Sequence, residues 1–317
     1  MSKKVLFFTD AGIDDAIALI MALFSEKIEV VGIVADYGNI SKDVATKNIE
    51  YLTEIAKKKP IPIFHGADYP LTSNTPHFYP DVHGIHGLGP IIPEGNFHTG
   101  QLKSFFAIIN MIEKYKDELI IVNVGRLTSL SILFILYKEI MKTVKSYYIM
   151  GGAFLHPGNV TPIAEANFHE DPVAANLVFK YASNVSVYPL NVTQYALVTP
   201  EMINYIDEIG KSKLVKPMLD HYYYQFYKKL FPTLEGAPVH DLMPLMAIID
   251  DTMFTYHHSP IYVINSDLAR GQSYAEFRSS IQEKPFINRP IQRIAIDFDY
   301  NRFFKYFMTI MTDRQFS

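Results

Sequence analysis

Residues 5–19 read Val5-Leu-Phe-Phe-Thr-Asp10-Ala-Gly-Ile-Asp14-Asp15-Ala-Ile-Ala-Leu. The apolar run before Asp10 is typical of a buried strand, and the apolar spacing after the glycine is typical of a helix. A strand that turns through glycine into a helix is the opening unit of a β-α-β fold. It places Asp10 at the end of the strand and puts Asp14 and Asp15 on the first turn of the helix. We therefore expect three carboxylates to point into one small volume.

These aspartates predict either a cation site or a helix cap. Like charges at this density repel one another unless a cation or a shared proton neutralises them. Oxygen ligands suit a hard cation such as calcium or magnesium. Acidic residues at a helix start also favour the helix dipole, which would explain Asp14 or Asp15 alone without any ligand. Two of them plus Asp10 across the turn favour a metal-assisted reaction, and capping stays open as the alternative.

The alternation of short apolar runs with longer amphipathic segments predicts the fold. Strands are expected at 5–8, 28–34, 61–64, 119–124, 144–150, 185–190, 261–264 and 291–296. Helices are expected at 14–24, 41–58, 102–115 and 128–137, after Asp171-Pro172, and at 201–209, 212–229, 241–249 and 300–311. This order predicts an α/β fold with a mostly parallel central sheet flanked by helices, a Rossmann-like core and extra helices in the C-terminal half. No repeat or polar linker divides the chain, so we expect one domain over residues 1–317.

Composition excludes several classes of function. The chain has 317 residues, of which 49% are hydrophobic and 20% charged, and its net charge is −4. Without a basic block it is not expected to bind nucleic acid, and no apolar run is long enough to span a bilayer. Cysteine is absent, which excludes thiolate chemistry and is compatible with a cytoplasmic location.

The polar residues fall where α/β sheets bind ligands, beyond the carboxyl ends of the strands. Asn39 follows the second predicted strand, a Gly/Pro/His-rich stretch follows the third, Gly125 and Arg126 follow the fourth, and Gly151-Gly152 follows the fifth. The stretch after the third strand, 68–100, has the length and glycine content of a lid over a substrate. Its His83 is expected either to face the pocket or to stiffen the loop.

Two later segments offer further candidates. Asn159, Glu165 and Asn167 supply donors and acceptors suited to a polyhydroxylated ligand, although an ordinary solvated loop has the same composition. His240 and Asp241 precede a predicted helix, so Asp241 is either a cap or another metal ligand. His240 is either structural or a proton donor, because histidine titrates near neutral pH. The aromatic run 222–227 either walls a pocket or packs in the core.

The chain resembles the nucleoside hydrolases. Their aspartate-rich signature corresponds here to Phe8-Thr9-Asp10-Ala11-Gly12-Ile13-Asp14-Asp15. Further landmarks occur in family order: Gly38-Asn39, Pro62-Ile-Phe-His-Gly66, His83-Gly84-Ile-His-Gly87-Leu-Gly89, Gly125-Arg-Leu127-Thr128, Gly151-Gly152, Gly158-Asn159, Glu165-Ala-Asn167, Asp171-Pro172 and His240-Asp241. Phe8, Ala11, Arg126 and Ser129 depart from the family pattern, which puts efficiency and substrate choice in doubt more than reaction class.

The resemblance implies calcium-dependent hydrolysis of the N-glycosidic bond of ribonucleosides, of the inosine/uridine or pyrimidine-accepting type, to ribose and free base. It implies that Asp10, Asp15, Asp241 and the carbonyl of Val124 hold Ca²⁺, and that Asp10 is the base for a water on that ion. His240 would protonate the leaving base.

The resemblance also implies substrate contacts. It assigns the 2′-hydroxyl to Asp14 and Asn167, the 3′-hydroxyl to Asp241, the 5′-hydroxyl to Asn159 and Glu165, the reacting carbon to Asn39, and a further pocket position to His83. Relatives of this kind are dimers or tetramers, so a homo-oligomer is expected. Two alternatives remain open, a non-catalytic ribose- or nucleoside-binding homologue and a divalent-metal phosphohydrolase.

Overall fold

A computed structural model describes residues 2–56, 60–72, 75–95, 102–278 and 289–316. Its main sheet has nine strands, which we number in chain order: β1 Lys3–Thr9, β2 Ile28–Ala35, β3 Ile63–His65, β4 Leu102–Lys103, β5 Leu119–Asn123, β6 Ser146–Met150, β7 Val185–Tyr188, β8 Phe254–Ser259 and β9 Gln292–Phe298. They lie in the order β8-β9-β7-β6-β5-β1-β2-β3-β4. The edge strand β8 runs antiparallel to β9, and the other pairings are parallel. The predicted mostly parallel α/β fold is confirmed.

Helices cover both faces of this sheet. In chain order they are α1 Ile13–Phe24, α2 Lys42–Ile55, α3 Pro80–His83, α4 Ile108–Tyr115, α5 Thr128–Leu136, α6 Lys138–Met141, α7 Ala166–Glu170, α8 Pro172–Tyr181, α9 Leu190–Thr193, α10 Pro200–Ile209, α11 Val215–Asp220, α12 Lys228–Leu230, α13 Leu242–Ile249 and α14 Tyr300–Thr312. A π-helical segment, His221–Tyr227, joins α11 to α12. Two small antiparallel pairs, Leu197–Val198 with Ala237–Pro238 and Tyr262–Val263 with Ser273–Tyr274, complete the described strands.

Strand β1 shows why the sheet is buried on both sides. Val5 and Phe7 pack into the apolar cluster on one face, whereas Leu6 and Phe8 pack into the cluster on the other. A parallel strand covered on both faces is apolar throughout, in agreement with its sequence. Phe8, which departs from the family signature, is therefore a core residue.

Several boundaries differ from the sequence-based predictions. The helix expected at 102–115 begins only at Ile108, after strand β4 and a short 3₁₀ turn, Phe105–Ala107. The strand expected at 185–190 ends at Tyr188, because Pro189 precedes a helical turn. Strand β8 was missed, since its sequence Phe-Thr-Tyr-His-His-Ser is largely polar. Of the helix expected at 41–58, residues 57–58 lie outside the described residues.

Among the described residues, no helix combines the length and the apolar character needed to cross a bilayer.

Candidate active site

A cavity of about 550 Å³ opens at the carboxyl edge of the sheet. The predicted site residues that line it are Asp14, Asn39, His83, Val124, Asn159, Glu165, Asn167, His240 and Asp241. A cavity of this size is typical of a small-molecule site. Asp10 and Asp15 do not line it; they lie buried beneath its floor with no more than 1% of either residue exposed. The structure thus brings nine of the eleven predicted residues to the surface of one cavity and places the other two beneath it.

Asp14, Asp15 and Asp241 form a buried acidic cluster. One oxygen from each carboxylate lies within 4.8 Å of the others. Asp14 and Asp15 come from the first turn of α1, and Asp241 immediately precedes α13. Burial and the neighbouring Asp15 raise the pKa of Asp14 to about 8. Burial and the neighbouring Asp14 and Asp15 raise the pKa of Asp241 well above its ordinary value. A cation in this cluster would relieve both penalties.

Asp15 is the most firmly held of the three. Its Oδ1 accepts hydrogen bonds from the Thr9 hydroxyl at 2.5 Å and from the Asp10 amide at 3.2 Å. Its Oδ2 accepts from the Gly12 amide at 3.0 Å and from Asn39 Nδ2 at 2.9 Å. The bond to Gly12 is a helix-capping contact, so the capping interpretation holds for Asp15. Capping leaves Asp14 unexplained, because its Oδ1 is buried without a hydrogen-bond partner in the described part of the chain.

Asp10 lies outside the cluster and is paired with a cation. Its Oδ2 accepts from Arg126 Nη1 and from the Asn39 amide, both at 2.6 Å. Its Oδ1 is buried with no hydrogen-bond partner among the described residues. Gly38 and Gly125 make room for this carboxylate, because a Cβ at either position would collide with one of its oxygens. Burial and Asp15 raise the pKa of Asp10, and Arg126 opposes that rise.

Arg126 has more contacts in the cavity than the sequence indicated. It lines the cavity although only 1% of its surface is exposed. Besides Asp10, its Nη1 contacts Asn167 Oδ1 at 3.1 Å and Asn39 Oδ1 at 3.3 Å. Burial lowers the pKa of the guanidinium, but Asp10 together with Tyr79, Glu170 and Tyr37 outweighs that effect and raises the pKa above its ordinary value. The residue is therefore a permanent positive charge in the cavity floor.

The 159–167 segment is more structured than an ordinary solvated loop. Glu165 caps α7, and its carboxylate accepts from the amides of Gly152 and Asn167, each at 2.8 Å. Asn159 Oδ1 accepts from the Ala166 amide at 3.0 Å. These contacts fix the segment that lines one wall of the cavity.

Asn167 connects the 159–167 segment to the ends of β5 and β6. Its Nδ2 donates to the carbonyl of Val124 at 2.7 Å and to that of Met150 at 3.3 Å. The Val124 carbonyl, which the resemblance assigns to the ion, therefore already accepts a hydrogen bond from Asn167.

His83 faces the cavity, whereas His86 in the same loop is exposed and does not line it. His83 Nδ1 accepts from the Ile13 amide at 3.1 Å and lies 4.0 Å from Asp14 Oδ1. Because Nδ1 accepts, the proton of the neutral ring is on Nε2. Burial lowers the pKa of His83 to about 3. The remainder of the expected lid lies partly outside the described residues, at 73–74 and 96–100.

His240 also lines the cavity and is hydrogen-bonded through both nitrogens of its ring. Its Nδ1 lies 2.9 Å from the Thr193 hydroxyl and its Nε2 lies 3.1 Å from the Tyr227 hydroxyl. Burial lowers the pKa of His240 to about 4, so the ring is neutral at neutral pH. Tyr222 and Phe226 also line the cavity, so the aromatic run contributes to the pocket wall. Thr193, which lies on α9, was missed because only the tertiary fold brings it to His240.

Comparisons with known proteins show the family of this chain. The family model described as "Inosine-uridine preferring nucleoside hydrolase" matches residues 5–305. "Uridine nucleosidase 1" of Arabidopsis thaliana is 31% identical over 274 residues, which cover 86% of this chain and 81% of the relative. The "Inosine-uridine preferring nucleoside hydrolase" of Leishmania major is 31% identical over 309 residues, which cover 94% and 95%.

Solved structures share the same architecture. A plant nucleoside hydrolase, PpNRh1, superimposes with a TM-score of 0.91 at 26% identity, over 99% of this chain and 100% of that one. A purine-preferring ribonucleoside hydrolase from Gardnerella vaginalis superimposes with a TM-score of 0.89 at 26% identity, over 98% of each chain.

Proposed function

Because the chain belongs to the inosine-uridine preferring nucleoside hydrolase family, whose members are N-glycosidases, we propose that it hydrolyses ribonucleosides of the inosine or uridine type with a divalent cation, calcium. The observation that carries this proposal is the cluster of Asp14, Asp15 and Asp241 at the floor of a cavity that can contain a nucleoside. In the reaction, water attacks the anomeric carbon, the C–N bond breaks, and the base leaves with the electron pair.

The residues of the cluster fit a calcium ion. Calcium takes 6–8 oxygen ligands, and the three carboxylates supply oxygens only. The buried Oδ1 atoms of Asp10 and Asp14 lack hydrogen-bond partners in the described structure, so they have lone pairs to offer. We propose that Asp15 and Asp241 hold the ion, with Asp10 and the Val124 carbonyl as further ligands. When bound, the ion would hold the sugar diol and make the attacking water more acidic.

The protein supplies the base and the charge stabilisation. We assign to Asp10 the acceptance of the water proton, because its Oδ1 has no competing donor among the described residues. Asn39, whose amide and side chain hold Asp10 and Asp15, would lie beside the reacting carbon. The transition state of glycoside cleavage resembles an oxocarbenium ion, and the acidic floor would stabilise its positive charge.

Sugar binding is assigned to the walls. Asp14 and Asn167 would bind the 2′-hydroxyl, Asp241 the 3′-hydroxyl, and Asn159 with Glu165 the 5′-hydroxyl. This assignment is supported by their common position on the cavity surface. His83 lies beside Asp14 as a neutral group and would contact substrate through its Nε2 proton.

The leaving base would receive its proton at the His240 wall. A ring with a pKa of about 4 is neutral at neutral pH and holds a single proton. Transfer of that proton must therefore be coupled to its replacement through a neighbouring hydroxyl, which in turn recovers a proton from solvent water. The hydroxyls of Tyr227 and Thr193 are hydrogen-bonded to the two ring nitrogens. The chain has no tryptophan, so tyrosines and Phe226 would form the base pocket.

A chelator assay separates this function from its two alternatives. The enzyme is incubated with inosine, uridine and a nucleotide, with and without EDTA, and reducing sugar and phosphate are measured. Chelator-sensitive ribose release is expected. Phosphate release would indicate a phosphohydrolase, and binding without turnover would indicate a nucleoside-binding homologue.

A matched pair of variants tests the cluster itself. Asp15→Asn should abolish turnover, whereas Asp43→Asn should leave it unchanged, because Asp43 is an exposed acidic residue in the first turn of α2. Equal activity of the two variants would mean that Asp15 serves only as a helix cap.

A further inference from the structure

We propose that Arg126 sets the cation affinity of the active site by competing with the divalent ion for Asp10. The inference rests on the proposed function, because it takes the acidic cluster as the site of that ion. It concerns a residue at which this sequence departs from the family pattern. The guanidinium and the ion are both cations, and the guanidinium is in direct contact with Asp10.

The first step is the position of Arg126 relative to Asp10. Arg126 lines the cavity, whereas Asp10 does not, and the two are joined by a 2.6 Å ion pair. The side chains of both residues are no more than 1% exposed. Water therefore screens this pair poorly, and its interaction is stronger than that of a surface pair. Arg126 thus supplies a counter-charge to Asp10, and an ion that binds Asp10 must share that carboxylate with the guanidinium or displace it.

The second step is the set of further hydrogen bonds that the same guanidinium makes. Its Nη1 contacts the side-chain oxygens of Asn39 and Asn167. The side-chain Nδ2 of Asn39 donates to Asp15, and the side-chain Nδ2 of Asn167 donates to the Val124 carbonyl. Arg126 thus contacts, directly or through one asparagine, the ligand atoms proposed on Asp10, Asp15 and Val124. Asp14 and Asp241 have no such contact with Arg126 among the described hydrogen bonds.

The third step is the charge of the site. Four carboxylates and one guanidinium surround the floor, namely Asp10, Asp14, Asp15, Asp241 and Arg126. Removing the guanidinium takes one positive charge away from the ligand atoms and frees Asp10 Oδ2 from its strongest donor. Both changes favour a divalent cation. Groups that contact a metal's ligands change its affinity by roughly 10- to 100-fold, so we expect a gain of that size.

The test is a calcium titration by isothermal calorimetry, which needs no substrate. The variants are R126Q and R126A, which lack the charge, and R126K, which keeps it. R293Q is the control for a lost positive charge, because Arg293 pairs with Asp251 and does not line the cavity. Circular dichroism establishes that each variant is folded. R126Q, or R126A if R126Q does not fold, should bind calcium at least about tenfold more tightly than the natural chain, and R126K and R293Q should bind within about threefold of it.

The outcomes separate this inference from the function beneath it. If the natural chain binds calcium and both uncharged variants bind it equally or more weakly, Arg126 organises the ligands instead of competing for them, and the inference is overturned while the function stands. If neither the natural chain nor any variant binds calcium, the calcium part of the function fails together with the inference. If R293Q also bound calcium more tightly than the natural chain, the change in affinity would come from the overall charge of the protein, and the inference would again be overturned.

Discussion

Replacing Asp10 by asparagine should destabilise the protein as well as inactivate it. The substitution leaves the buried guanidinium of Arg126 without its only directly bonded carboxylate among the described contacts. Removing one partner of a buried ion pair costs about 3–5 kcal/mol. For 317 residues, the unfolding entropy is roughly 0.7 kcal/mol/K, so the melting temperature should fall by about 4–7 °C.

The reverse change should cost less. In R126Q it is Asp10 that loses its partner, and a buried carboxyl group can neutralise itself by taking up a proton, whereas arginine cannot lose one. The double variant D10N/R126Q removes both charges. It should recover more than half of the stability that D10N loses, and it should recover none of the turnover.

Urea unfolding measures these differences. Tyrosine fluorescence is a suitable signal, because the chain has 21 tyrosines and no tryptophan. EDTA is present throughout, so that no cation substitutes for Arg126. Ribose release from inosine is measured on the same samples. The reasoning is refuted if D10N loses less than about 1 kcal/mol, or if D10N/R126Q is no more stable than D10N.

Three further outcomes are expected. Burial raises the pKa of Asp36 from 3.8 to about 7, so only the unfolded state ionises this group as the pH rises from about 4 to 7, and this costs up to about 4 kcal/mol of stability. The free energy of unfolding of Asp36→Asn, measured in urea, should therefore rise relative to that of the natural chain across this pH range. Parallel pH profiles of the two proteins would contradict the assignment. His240→Ala should slow inosine and uridine more than 4-nitrophenyl riboside, whose leaving group needs no proton, and equal losses in steady-state kinetics would remove the acid role. Gly38→Ala should lower kcat about 100-fold while circular dichroism stays unchanged, because the new Cβ displaces the Asp10 carboxylate; near-normal kcat would mean that the position of Asp10 is not critical.

The sequence predicted the fold well where burial dictates composition. Strand β1 is covered on both faces, so its residues are uniformly apolar and easily recognised. Strand β8 lies at the sheet edge with exposed or half-buried His257 and His258, so its sequence carries no comparable signal. The two-residue strand β4 is too short to show a period at all.

The site was predictable as far as it depends on strand ends. Asp10, Asn39 and Val124 follow or end parallel strands, and this placement brings them to one sheet edge. The pairing of side chains within the site could not be predicted, because it depends on residues that come into contact only in the folded chain. The ion pair between Asp10 and Arg126, 116 residues apart, and the bond between His240 and Thr193, 47 residues apart, have no local signature.

The most direct test is a crystal structure of the protein grown with calcium and a non-hydrolysable ribosyl analogue. The account predicts one ion within about 2.3–2.6 Å of carboxylate oxygens of Asp15 and Asp241, with the two sugar hydroxyls also bound to it. Asp15 and Asp241 holding no ion while the analogue occupies the cavity would contradict it.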